Sequence, residues 1–223
     1  ALRPFRNRLA LVPSTRAPRK LVNKIYPPKT PQMLSVQQVL SCDSKGAFGC
    51  AGTYAGGGSG YDFVMRNGGL ASEIKYPYVS GKTKQTEKCK KDAPVAGGRI
   101  RNYTYAVKPC DLPWDNCDDQ DEDAIVEYIG AKGPLSICVN AHAWQFYKSG
   151  VMNGATCGNH DHGSLDHCVQ LVGYNKTAPQ PYWIVRNSWK YADGKAWGQD
   201  GLIFLAMGNN TCGLANVPSF AEI

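Results

Sequence analysis

Asp166-His167-Cys168-Val169-Gln170-Leu171-Val172-Gly173-Tyr174 and, a little further on, Tyr182-Trp183-Ile184-Val185-Arg186-Asn187-Ser188-Trp189 are the stretches that decide how this chain is read. Each is an apolar run rich in β-branched and aromatic residues and bounded by Gly, Asn or a charge, which is the pattern of a strand. His167 opens the first run and Asn187 follows the second, so if the two strands pair as neighbours these side chains face each other at a sheet edge. A thiol nucleophile needs that kind of arrangement: an imidazole that pairs with the thiolate and protonates the leaving amine, and a third polar group that orients the ring. Working outward, Leu135–Val139 and Leu202–Ala206 read as further strands. On the N-terminal side the periodicity changes: Val36, Val39 and Leu40 recur at helical spacing, Tyr61–Arg66 reads as a short helix closed by Gly68 and Gly69, and Ala124–Ala131 as another. Helices first and strands after predict an α+β protein in two lobes.

A chain of 223 residues is long enough to bury a core without a metal. It has no run of 18 apolar residues and no apolar stretch behind a positive flank at its N-terminus, so neither a membrane span nor a signal peptide is expected. Nine cysteines, with Asn-x-Thr sequons at Asn102, Asn175 and Asn209, point to an oxidising compartment. The net charge of +7 is localised: residues 1–33 hold eight Lys or Arg, no acid and six prolines, leaving 17 basic against 18 acidic groups beyond. That segment lacks interleaved aromatics and any binding motif, so it reads as an atypical solvated arm and no nucleic-acid partner is expected.

Other pieces fall into order around the two strands: LSVQQVLSC (34–42), GCAG (49–52), RNGGLASEIKYPY (66–78), GPLSICVNA (133–141), WQFYKSGV (144–151), CGN (157–159), WGQDG (197–201) and GNNTCGLANVPSF (208–220). Together they resemble the papain-like (cathepsin-type) cysteine peptidases over about 34–220. The resemblance implies a two-lobe fold, with a helical lobe over about 34–130, an antiparallel sheet or barrel lobe over about 131–223, and a cleft between them for a peptide or protein substrate. It makes His167 the catalytic histidine, Asn187 the residue that bonds its ring, Trp189 the indole that shields this bond, and Asp166 a supporting neighbour. Gly52 would lie against substrate backbone. Val217 would floor the pocket for the second residue before the scissile bond, favouring apolar side chains. Disulfides Cys42–Cys89 and Cys157–Cys212 are implied, as are a monomer, no cofactor and a lysosomal, vacuolar or extracellular setting.

One part of the pattern is missing. Enzymes of this kind carry a Cys-Gly-Ser/Ala-Cys-Trp/Tyr signature 130 to 150 residues before the His and Asn, and no cysteine here precedes Cys42. Counting back from LSVQQVLSC lands on LVPST (11–15). Cys42 lies 125 residues before His167 and 145 before Asn187, so spacing alone admits it. Against this, no helix start or glycine follows it to lower a thiol pKa, and the resemblance makes it a disulfide partner. Ser14 and Thr15 are weaker candidates in a proline-flanked segment. The glutamine expected just before the nucleophile has no counterpart, Thr53 stands where a glycine is usual, and Lys190 follows Asn-Ser-Trp. Two explanations stay open: a pseudoenzyme, or a shifted-frame reading of residues 1–33. The expected function is cysteine-type peptide-bond hydrolysis by descent, without a recognisable nucleophile in this chain; the alternative is an inactive homologue that binds peptides or proteins.

Of the remaining cysteines, Cys50 has lost its usual partner, Cys110 and Cys117 flank an acidic loop they could close into a ring, and Cys138 and Cys168 are expected as buried thiols. No metal site is expected. The spacing of Cys157, His160, His162 and His167 is not a zinc pattern, and residues 111–123 lack the glycine and spaced ligands of a calcium loop.

Overall fold

The computed structural model describes residues 32–45, 48–53, 58–110, 112, 117–158 and 160–223, apart from the side chains of residues 58, 59 and 162. The LVPST stretch, with Ser14 and Thr15, lies outside the described residues. The chain forms two compact units, one comprising residues 105–220 and the other the described residues up to 104 together with 221–223.

The helix-bearing unit holds α1 (Val36–Cys42), a 3-10 turn at Gly49–Ala51, α2 (Gly58–Asn67), a two-stranded antiparallel ribbon of β1 (Leu70–Ala71) and β2 (Val95–Gly97), and α3 (Ser80–Thr83). Ser35 caps α1: its hydroxyl accepts the Gln38 N–H at 3.0 Å and donates to the Tyr76 carbonyl at 2.6 Å. The two glutamines of LSVQQVLSC are buried and satisfied. Gln38 Oε1 accepts the Ala71 N–H, while Gln37 Oε1 accepts the N–H groups of Val79 and Ser80 and its Nε2 donates to Ser80 Oγ. Gly68 and Gly69 end α2 with φ of +66° and +117°, as a left-handed helix stop requires.

Most of a seven-stranded sheet lies in the second unit. After β3 (Asn102–Tyr105) come α4 (Glu122–Ala131), β4 (Leu135–Val139), a 3-10 turn at His142–Phe146, β5 (Val151–Met152), α5 (Gly154–Cys157), β6 (His167–Asn175), β7 (Tyr182–Arg186), β8 (Leu202–Ala206) and β9 (Ser219–Glu222). The strand order is β3-β9-β4-β6-β7-β8-β5, with the β4–β6, β6–β7 and β7–β8 pairs antiparallel and β5 parallel to β8. Trp183 faces Leu205 and Val185 faces Ile203 across β7 and β8, and all four are fully buried, so the period-2 pattern supplies the core.

One boundary differs from the sequence reading, which put the helix near Ala124–Ala131 with the helical half. α4 starts at Glu122, capped by Asp121, and buries Ile125 and Ile129 among Leu135, Ile137 and Leu171 of the sheet. The i, i+4 pair of isoleucines has its apolar partners on the strands, so the compact units divide at residue 104/105.

Candidate active site

β6 begins at His167 and β7 ends at Arg186, one residue before Asn187. The strands are antiparallel with Gln170 opposite Arg186, which brings the start of one beside the end of the other. His167 Nε2 lies 2.9 Å from Asn187 Oδ1. The carboxamide oxygen has no hydrogen, so Nε2–H is the donor and the neutral ring carries its lone pair on Nδ1. Asn187 is itself held: its N–H donates to the Gly201 carbonyl at 2.9 Å, and Oδ1 also accepts the Ser188 N–H at 2.7 Å. Its Nδ2 is buried without a hydrogen-bond partner.

Indoles surround the ring. Trp189 stacks on His167 at 4.9 Å between centroids, and Trp144 meets it edge-on at 6.3 Å and 88°. Trp197 stacks on Trp144 at 6.1 Å and packs edge-on to Trp189 at 5.3 Å. Trp144 is completely buried and its Nε1–H donates to Cys212 Sγ at 3.4 Å. This packing keeps water from one side of the imidazole, where the Asn187 bond would otherwise compete with solvent. Sequence reasoning quoted WQFYKSGV without giving Trp144 a role; an indole just after an apolar strand that leads toward the His strand was the available signal. It also missed Tyr147, whose hydroxyl donates to the Gly150 carbonyl at 2.7 Å and accepts from Gln199 Nε2 and the Phe204 N–H. Burial pushes the Tyr147 phenol above its ordinary pKa, opposed by the bonds from Phe204 and Gln199.

The other sequence-derived candidates are placed as follows. The Asp166 carboxylate accepts the Ala141 N–H at 2.8 Å and its own N–H donates to Val139 O at 3.0 Å, tying β4 to the start of β6. Val217 is buried in the sheet-bearing unit. Gly52, in the other unit, is exposed, but its N–H donates to Gly49 O and its carbonyl accepts the Phe48 N–H, so both polar backbone groups are engaged locally. Cys42 is bonded to Cys89, which leaves it no thiol to act as a nucleophile. Cys157 is bonded to Cys212 and Cys110 to Cys117, while Cys50 is free and exposed. His160 pairs with Asp118 at 2.7 Å.

Cys138 and Cys168, expected as separate thiols, form a disulfide. The reason is register: in β4 and β6 the two residues stand directly opposite each other, with their Cα atoms 4.0 Å apart. Apolar strand patterns reveal which face a residue takes and leave its partner open.

Residues 19–222 match the family described as papain family cysteine protease. This chain belongs to that family. Cysteine proteinase A of Leishmania mexicana is 36% identical over 190 residues, covering 85% of this chain and 47% of that protein. Mouse cathepsin K is 32% identical over 193 residues, covering 85% and 51%. Among solved structures, the bromelain protease of Ananas comosus superposes with a TM-score of 0.67 at 29% identity, covering 91% of this chain and 85% of that one. Digestive procathepsin L 3 of Tenebrio molitor gives a TM-score of 0.69 at 28% identity, covering 87% and 57%. The papain-family chain spans about half the length of the curated relatives it matches. Its fold is the papain-like α+β fold, and no helix among the described residues is long and apolar enough to cross a membrane.

Proposed function

We propose that this chain carries the proton-transfer half of a cysteine peptidase site and, as this sequence stands, no recognisable nucleophilic cysteine, the free Cys50 being a residue that has lost its usual disulfide partner. The observation behind the reading is the 2.9 Å contact between His167 Nε2 and Asn187 Oδ1 under the Trp189 indole, in a chain where no cysteine precedes Cys42 and Cys42 is bonded to Cys89. Asn187, by accepting from Nε2, turns the basic Nδ1 toward the position a thiol would occupy. In a complete site Nδ1 takes the thiol proton, the thiolate attacks the scissile carbonyl, and the imidazolium returns the proton to the departing amine. With the sulfur absent, the base has nothing to activate, and water alone is too weak a nucleophile for useful turnover.

The retained activity is then peptide binding beside His167. Val217 floors an apolar pocket in this reading, so peptides with an aliphatic or aromatic residue near the seat are held best. Four disulfides among the described residues favour an oxidising compartment on the secretory route. The chain acts as a monomer in this account.

The test is incubation of the intact chain with a peptidyl epoxide that alkylates active-site thiolates, read by intact mass and peptide mapping. No adduct above the level on the unfolded chain is the expected outcome. A stoichiometric adduct on any cysteine, blocked by a competing peptide, would sink the proposal.

A further inference from the structure

Five of the ten exposed large apolar side chains among the described residues come from two short stretches: Met33 and Val36, and Ile74, Tyr78 and Val79. Ile74, at 85% exposure, is the most extreme. The backbone holds these stretches side by side. Met33 O accepts the Glu73 N–H at 2.8 Å, the Ser35 N–H donates to Ala71 O at 2.9 Å, and the Ser35 hydroxyl donates to Tyr76 O. Apolar residues scattered singly on a surface are ordinary, whereas a group of them brought together marks an interaction site.

Lysines flank the same group. Lys75, Lys82, Lys84, Lys88, Lys90 and Lys91 are all exposed, and none of them is in an ion pair among the described residues. Residues 73–92 hold these six cations against three acids, Glu73, Glu87 and Asp92, and the Glu73 carboxylate already accepts the Tyr78 N–H at 2.7 Å. Outside this segment and residues 1–33 the chain has 11 basic and 15 acidic groups, so the near-neutral body conceals one cationic region. The segment is fixed in place. The N–H groups of Val79 and Ser80 donate to Gln37 of α1, and Cys89 is bonded to Cys42 at the end of α1. The Lys90 N–H donates to the Tyr76 hydroxyl at 3.0 Å, and its ammonium lies 5.4 Å from the centre of that ring. Cys89 is half-buried between the exposed Lys88 and Lys90, so the disulfide draws the sulfur inward and leaves both ammonium groups in solvent.

We propose that this face of the helix-bearing unit docks on an anionic lipid bilayer, with Ile74 and its apolar neighbours entering the interface and the lysines lying against lipid phosphates. The two components of the patch together select this partner. A soluble polyanion would use the lysines and leave Ile74 in water. A bilayer interface takes both: apolar side chains bury at the headgroup and acyl boundary, lysine stems lie along them, and the ammonium groups reach the anionic headgroups. All six cations are lysines, and a point charge on a flexible stem suits phosphates whose positions are not fixed, whereas the arginine fork serves ordered bidentate pairs. Docking of this kind involves neither His167 nor a peptide, so it stands or falls apart from the peptidase reading.

The intact chain is mixed with sedimentable phosphatidylcholine vesicles, with and without about one third phosphatidylserine, at low ionic strength and at about 0.5 M salt, where exposed charges are screened within a few ångströms. Binding should require phosphatidylserine and should be lost at high salt. Lys82→Gln/Lys88→Gln/Lys90→Gln should weaken it at least about tenfold. Lys108→Gln/Lys132→Gln/Lys148→Gln, the same change of charge in the sheet-bearing unit, should weaken it less than about twofold. Ile74→Ser should weaken it at least about threefold with an unaltered salt dependence. In the wild type, amide hydrogen exchange over residues 73–91 should slow on the vesicles, and that result decides if a variant fails to fold. The proposal is overturned by an absence of binding to the anionic vesicles, or by binding that leaves this exchange unchanged. Equal weakening by the two triple variants also overturns it, because net charge or residues 1–33 would then account for the binding. So does indifference to Ile74→Ser, which would make the patch a site for soluble polyanions such as sulfated glycans.

Discussion

Asn187→Ala isolates the interaction on which the site depends. The substitution removes the acceptor of His167 Nε2–H at 2.9 Å and of the Ser188 N–H at 2.7 Å. It also removes a buried Nδ2 that has no partner in the folded chain. Two hydrogen bonds at a net of about 0.5 to 1.5 kcal/mol each are lost, and an unsatisfied donor costing about 1 to 3 kcal/mol is relieved. These terms largely cancel, so global stability should change by no more than about 1 kcal/mol, or about 2 to 4 °C in Tm for a chain of this size. The ring receives no such compensation. Losing about 1 to 1.5 kcal/mol that favours Nε2–H should move the neutral tautomer ratio about five- to thirteenfold toward Nδ1–H. Long-range ¹H–¹⁵N correlation of selectively labelled histidine reads that ratio, and a melting curve reads the stability. An unchanged tautomer ratio would show that Asn187 does not orient the ring, whatever the melting curve does.

Four further outcomes follow from the packing and the titratable groups. Trp144→Ala removes a fully buried indole that contacts His167, Trp189 and Trp197, and should cost about 3 to 5 kcal/mol in urea denaturation; a loss under 1 kcal/mol would mean the aromatic cluster is not packed as described. Gln37→Leu strips the N–H groups of Val79 and Ser80 of their acceptor and should cost more than Gln38→Leu, which orphans only that of Ala71; each abandoned donor is worth about 1 to 3 kcal/mol by the same assay. Gly69→Ala places a methyl 2.5 Å from the Gly97 carbonyl oxygen at φ +117° and should destabilise well beyond Gly150→Ala, where φ is +87° and nothing lies within 4 Å; equal losses contradict the close approach. Burial raises the Tyr147 phenol, so the folded chain holds that proton where the unfolded chain has released it. Stability from this group is therefore full below about pH 10 and falls as pH rises above it, and Tyr147→Phe should flatten that alkaline slope in pH-dependent denaturation.

The strand that begins at His167 and the one that ends at Arg186 were legible because each is an apolar run rich in β-branched and aromatic residues and each is punctuated by a polar turn, so the pairing of His167 with Asn187 could be anticipated. Register was not legible. Cys138 and Cys168 each sit in an apolar run, and only the alignment of β4 with β6 makes them a bonded pair. α4 was legible as a helix, yet its side of the fold was not, because Ile125 and Ile129 declare an apolar face without naming the strands that receive it. Gln37 and Gln38 pass in sequence for surface residues, and their burial becomes intelligible once the backbone groups they satisfy are seen.

Peptide turnover by the intact wild-type chain is measured beside that of His167→Ala across a panel of fluorogenic peptides with apolar side chains. The two proteins should be indistinguishable, both at background, because an oriented imidazole without a nucleophilic sulfur performs no hydrolysis. Turnover by the wild type that disappears in His167→Ala would contradict this.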